Sequence, residues 1–108
     1  MRVGNKLRGM ISLAAKAGKI QSGDTAVSAA AQKKMAVLLL AEETSSPNTK
    51  DKMGKLSAAY ALPLLFVEDL GACIGKPGRT MAAVCDQGFS GAILKIYDES
   101  EHGGVESK

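Results

Sequence analysis

Two short apolar runs that do not alternate decide most of what this 108-residue chain can fold into. Ala36–Ala41 reads AVLLLA, and Leu64–Val67 reads LLFV. Successive side chains of a strand point to opposite faces, so a strand with one wet face alternates apolar and polar residues. A strand that is apolar at every position is covered on both faces, as in a sheet with helices on each side.

The segments around these runs carry helical signals. Leu7, Met10, Ile11, Ala14 and Ala17 recur at helical spacing, with Gly18 as a C-terminal stop. Lys19–Gln21 is expected as a short strand. Ser22-Gly23-Asp24 offers N-cap chemistry for a second helix from Asp24 to Lys33, whose alanines allow close packing. Ser46-Pro47 marks a cap and a first helical position, after which Met53, Leu56 and Tyr60 line one face of a third helix. Asp69 is expected to cap a short helix over Leu70–Ile74, followed by a loop at Gly75-Lys76-Pro77-Gly78. Thr80–Cys85 is read as a strand, Asp86 as a cap, and Phe89, Ile93, Ile96 and Tyr97 as the face of a last helix. Strands alternating with helices predict one α/β domain over residues 1–97, a central mixed sheet of about four strands with helices on both sides. Residues 98–108, acidic and without periodicity, are expected as a flexible tail.

Charge is unevenly spread. Residues 1–80 hold twelve Lys or Arg against six acids, and residues 81–108 hold two against five. Up to Leu39 the only acid is Asp24, set against Arg2, Lys6, Arg8, Lys16, Lys19, Lys33 and Lys34. A field of that sign attracts polyanions. Cys73 and Cys85 sit among apolar neighbours without CxxC spacing, which predicts buried reduced thiols and a reducing compartment. No apolar run approaches the roughly 20 residues that span a bilayer. A cytoplasmic location is expected, with no membrane partner.

Catalytic chemistry finds little to stand on. The single histidine, His102, falls in the expected tail, away from any acid–base partner. No His/Cys cluster has zinc spacing, and neither a metal nor another cofactor is expected. Glu42-Glu43 follow a strand but lack a partner of defined spacing, and are read as surface or cap groups. Gly71–Pro77 imitates a phosphate loop, yet it is one residue short and lies at the end of a helix instead of opening one. Asn48-Thr49-Lys50-Asp51 resembles a guanine-reading motif, but its middle pair is transposed and no phosphate loop accompanies it. Phe66, Phe89, Tyr60 and Tyr97 are all expected in the core. That leaves no aromatic for base stacking, so any RNA would be recognised by shape and backbone.

The ordered motifs Ala17-Gly18-Lys19-Ile20, Ser22-Gly23-Asp24, Val37–Glu43, Ser46-Pro47-Asn48-Thr49 and Leu70–Gly75 together resemble the ribosomal-protein family of archaeal L-seven-Ae and eukaryotic L-thirty-e, in its bacterial L-seven-Ae-like branch. The similarity runs over Asn5 to Ile96. It implies a three-layer α/β/α sandwich and binding to kink-turn RNA; a non-enzymatic monomer that binds such structured or rRNA-like RNA, with the ribosome as a possible partner, is expected. In that family a helix N-terminus enters the kink and a nearby loop closes over flipped bases. Here the resemblance places the helix start at Ser22, Gly23, Asp24 and Thr25 with Ser28 one turn on, and the loop at Lys76, Pro77, Gly78 and Arg79.

The residues themselves agree in part. Amides at a positive helix end suit an anion, and Gly23 permits close backbone approach. Lys33 and Lys34, at the far end of that helix, are within reach of flanking phosphates. The departures lie at Asp24, Thr25 and Ser28, where the family shows an Asn-Glu pair and then a Lys. A carboxylate accepts but cannot donate as an amide does, and it repels phosphate. The alternative is a protein-interaction module on the same scaffold, its RNA surface eroded.

Overall fold

The computed structural model describes residues 3–106, with side chains from Asn5 to Glu99. Arg2 and the last two residues of the expected tail lie outside the described residues, as does the side chain of His102. Among the described residues, five helices and four strands follow one another as α1 (Val3–Lys16), β1 (Ile20–Ser22), α2 (Asp24–Gln32), β2 (Leu38–Glu42), α3 (Pro47–Tyr60), β3 (Leu64–Val67), α4 (Leu70–Cys73), β4 (Met81–Val84) and α5 (Gln87–Glu106). The strands form one mixed sheet in the order β1-β4-β2-β3, with β2 and β3 parallel and β4 antiparallel to both β1 and β2. The expected α/β/α sandwich is therefore observed.

The run at β2 shows why it does not alternate. Leu38 and Leu40 pack with Leu7, Ile11, Leu70, Ile93 and other residues of the α1/α4/α5 layer. Leu39 and Ala41 pack with Val27, Ala30 and Met53 of the α2/α3 layer. All four are fully buried. Each of these four residues thus faces a core, and none faces water.

Several local expectations are corrected. Ser22 does not cap α2: it is the last residue of β1, paired with Ala82, and the cap position falls to Gly23, which has no side chain to offer. Asp69 does occupy the cap of α4 but makes no side-chain cap bond, because its backbone is left-handed (φ 59°). Ser46 and Asp86 cap as expected, accepting from Thr49 N at 3.2 Å and Phe89 N at 2.9 Å. The last helix does not stop near Tyr97 but continues to Glu106, so the acidic stretch from Asp98 is helical through that residue. Phe66 and Tyr60 are not core residues, with 39% and 37% of their surfaces exposed. β3 is an edge strand, where the Phe66 ring lies 5.8 Å from Lys50 Nζ, and Tyr60 ends α3. The sequence-based claim that no aromatic is available at the surface therefore fails. Both cysteines are free, Cys73 buried and Cys85 only half-buried, and burial pushes both thiols above their usual range.

Sheet topology gathers one end of the domain. β1, β2 and β3 run in the same direction, so Ser22, Glu42 and Val67 close the same end of the sheet, where β4 begins. The start of α2 and the turn between α4 and β4 meet there.

Candidate nucleic-acid interface

At that end, Gly23 leaves β1 and opens α2 with φ 97° and ψ 157°, a conformation available almost only to glycine. Its N–H donates to Met81 O at 3.0 Å, which ties the start of the helix to the first residue of β4. The following first-turn amides have no intrahelical partners and receive no side-chain cap from Gly23. They form the positive end of a nine-residue helix.

Arg79 stands directly over this point. Its Nη1 donates to Ser22 O at 3.1 Å, and it occupies the space that a Cβ on Gly23 would need. The turn that carries Arg79 is braced from beneath. Lys76 N donates to Gly71 O at 2.8 Å and Arg79 N to Lys76 O at 3.2 Å. Gly71 is buried under the turn, where a Cβ would lie 2.9 Å from Lys76 O and 3.0 Å from Gly78 N. Only a bare Cα lets the cationic turn sit so close to α4. Between the turn and the end of β2 opens a cleft of about 310 Å³, lined by Glu42, Asp69, Pro77, Gly78, Arg79 and Thr80 among others.

Three carboxylates border this region, and each is engaged within the protein. Glu42 accepts from Leu70 N at 2.8 Å, Asp69 N at 3.2 Å and Thr44 Oγ1 at 3.2 Å, so it, and not Asp69, caps α4. Burial alone would push the Glu42 carboxyl up, but the backbone bonds from Leu70, Asp69 and Thr44 and the Thr44 hydroxyl hold it below the usual range. Asp69 Oδ2 lies 3.8 Å from Arg8 of α1. Asp24 pairs with Lys52 of α3.

The expected site residues divide accordingly. Ser22, Gly23 and Arg79 meet directly, Asp24 follows them but pairs with Lys52, and Lys76, Pro77 and Gly78 belong to the same turn as Arg79. Thr25 is exposed in the first turn of α2, and Ser28, one turn further, is half-buried. Lys33 and Lys34 are not brought to this cleft. They close the opposite end of α2, which at 1.5 Å per residue lies about 13 Å away, and they border separate hollows. Arg8 and Lys52 are the participants that sequence reasoning missed. Glu42 was visible as a possible cap, whereas nothing local ties Lys52 to Asp24 across 28 positions.

No family model matches the chain. The RNA-binding protein YlxQ of Bacillus subtilis (strain 168) is 35% identical over 92 residues, covering 82% of this chain and 92% of that protein. The chain belongs to the YlxQ family. The protein of the same name from Enterococcus faecium is 34% identical over 103 residues, covering 91% of this chain and 99% of its own. Among solved structures, a Bacillus halodurans protein of unknown function superimposes with a TM-score of 0.80 at 29% identity, covering 87% of this chain and 98% of that one. The Giardia lamblia 15.5kD RNA binding protein superimposes with a TM-score of 0.74 over 92% of this chain and 88% of its own. At 13% identity it shares the fold. The YlxQ relatives thus agree with the L-seven-Ae-like resemblance at the level of an RNA-binding family. Among the described residues no helix is long and apolar enough to cross a membrane, and no cluster of His, Cys, Asp or Glu is able to hold a metal ion.

Proposed function

We propose that this chain is a non-catalytic binder of structured, sharply bent RNA of the kink-turn type. Its site is the start of α2 together with the turn from Lys76 to Arg79, and its natural setting is the cytoplasm, on ribosomal or ribosome-associated RNA. One observation carries the reading: Arg79 reaches across to Ser22 O above Gly23. That contact sets a guanidinium beside the unpartnered amides that open α2, at the rim of the cleft between the turn and the end of β2. Phosphate oxygens take both kinds of donor, and close approach of two strands at a bend brings phosphates from both toward one concavity. Engagement of Asp24, Glu42 and Asp69 by groups of the protein itself limits the repulsion a polyanion would meet. YlxQ relatives named as RNA-binding proteins support the same class of ligand.

A gel-shift titration with a kink-turn hairpin and a straight duplex of equal length tests it. The hairpin should bind more tightly, and both affinities should fall steeply with salt. Charge reversal at Lys76→Glu with Arg79→Glu should abolish hairpin binding while leaving the domain folded, since both side chains are exposed. Equal, weak affinity for hairpin and duplex would refute bend recognition. Full affinity in the double variant would move the site elsewhere. Nuclease- and salt-insensitive capture of a protein partner by a chain that binds neither RNA would favour the interaction-module alternative.

A further inference from the structure

The turn that supplies Arg79 to the cleft presents Lys76 on its other side. Gly75, at φ 72°, ends the α4 segment and reverses the chain. Lys76 then stands at the mouth of a second groove, about 440 Å³, between the C-terminal halves of α1 and α4. Ser12, Lys16, Ala72, Gly75 and Lys76 border it. Ser12 Oγ donates to Cys73 O at 2.6 Å, which pins the two helices side by side along its floor. The small residues keep the groove open to a backbone. Two lysines flank it, and none of its lining residues is acidic.

This groove is continuous with the proposed RNA cleft. Ala72 borders both hollows, and the same turn forms their shared rim. Arg8, one turn before Ser12 on α1, answers Asp69, the carboxylate nearest the junction. Lys33 and Lys34, expected to meet flanking phosphates, stand at the remote end of α2 with no such continuity.

We infer that the α1/α4 groove is a second phosphate track, in which a strand leaving the cleft beside Arg79 passes Lys76 and lays its phosphodiester backbone against Lys16. The inference rests on the proposed RNA reading and adds a site to it. It makes the contact surface wrap from the α2 layer, around the sheet end, onto the α1/α4 layer. A bent RNA with two arms suits such a surface better than a single straight helix does. Lys16 also complements the negative end of α1. That structural role would alter stability but not the salt dependence of binding.

The test measures hairpin binding by fluorescence anisotropy, using a kink-turn hairpin with two extended duplex arms, across about 50 to 200 mM KCl. One lost phosphate contact lowers the slope of log affinity against log salt by about one. Over that range this corresponds to a salt-induced loss about 3.5-fold smaller than that of the wild type. Lys16→Ala should show this reduced slope, Lys16→Arg should keep the wild-type slope, and Lys95→Ala, on exposed α5 surface outside the groove, should also keep it. Thermal melts of all variants confirm folding. A wild-type slope in Lys16→Ala, or an equal reduction in Lys95→Ala, would overturn the track while leaving the cleft intact. A wild type that does not bind the hairpin at all would overturn both readings together.

Discussion

Replacing Gly23 with alanine should cost more stability than its half-exposed position suggests, and the loss should be coupled to Arg79. Gly23 has φ 97° and ψ 157°, where a non-glycine residue costs about 1–3 kcal/mol in backbone strain. The new Cβ would also displace the Arg79 guanidinium and break its bond to Ser22 O, a contact worth about 1 kcal/mol at an exposed position. Gly23→Ala should therefore lose about 2–4 kcal/mol. Arg79→Ala alone should lose only about 1 kcal/mol, that of the bond. In the double variant the bond is lost once, so its total should match Gly23→Ala and leave a coupling of about 1 kcal/mol. Urea unfolding with fixed m-values measures each corner of this cycle. A domain of this size has about 5–15 kcal/mol in reserve, so every variant should remain folded enough to titrate with RNA. Gly23→Ala within about 0.5 kcal/mol of wild type, or strict additivity in the double variant, would refute the reasoning.

Two further outcomes follow from the engaged carboxylates. Glu42→Gln should lose about 1–2 kcal/mol near neutrality by giving up the charge and part of the amide cap on α4. The folded Glu42 value is depressed, so its contribution should be complete above about pH 4.3 and vanish as the pH falls through the lower folded value, which an acid titration of wild type minus variant stability reads directly. Lys52→Ala should leave stability within about 1 kcal/mol, since the Asp24 pair is exposed, yet weaken hairpin binding roughly tenfold by unmasking a carboxylate at the start of α2. Adding Asp24→Asn should restore that affinity in a gel shift, and failure to do so would show that Asp24 does not oppose RNA.

What could be read from the chain and what could not divide by sequence separation. The β2 run placed a strand buried on both faces, because burial of Leu38–Ala41 is a property of consecutive residues, whereas the β3 run, with Phe66 exposed, is not covered in that way. Helix starts with a local signature, Ser46-Pro47 and Asp86, were legible for the same reason. Gly23 stood out as a glycine at a helix start, and Lys76 and Arg79 as cations in a glycine-bearing turn. Their meeting was not legible: the Arg79–Ser22 bond spans 57 positions, and only the β1-β4 pairing brings its partners together. Phe66 was misread because strand composition does not say which strand lies at an edge.

The carboxylates show how far this matters for function. In sequence, Asp24 at the helix start argues against a polyanion, because a carboxylate repels phosphate. The fold brings Lys52, Arg8 and three α4-side or β2-side donors onto them from elements far away in the chain. Once these contacts form, Asp24, Glu42 and Asp69 are each held by groups of the protein, and Arg79, Lys76 and Lys16 are the cations that border the cleft and the groove beside it. Which carboxylates at this end of the sheet find a partner is thus a product of tertiary pairing, and a count of residues along the helix start does not show it.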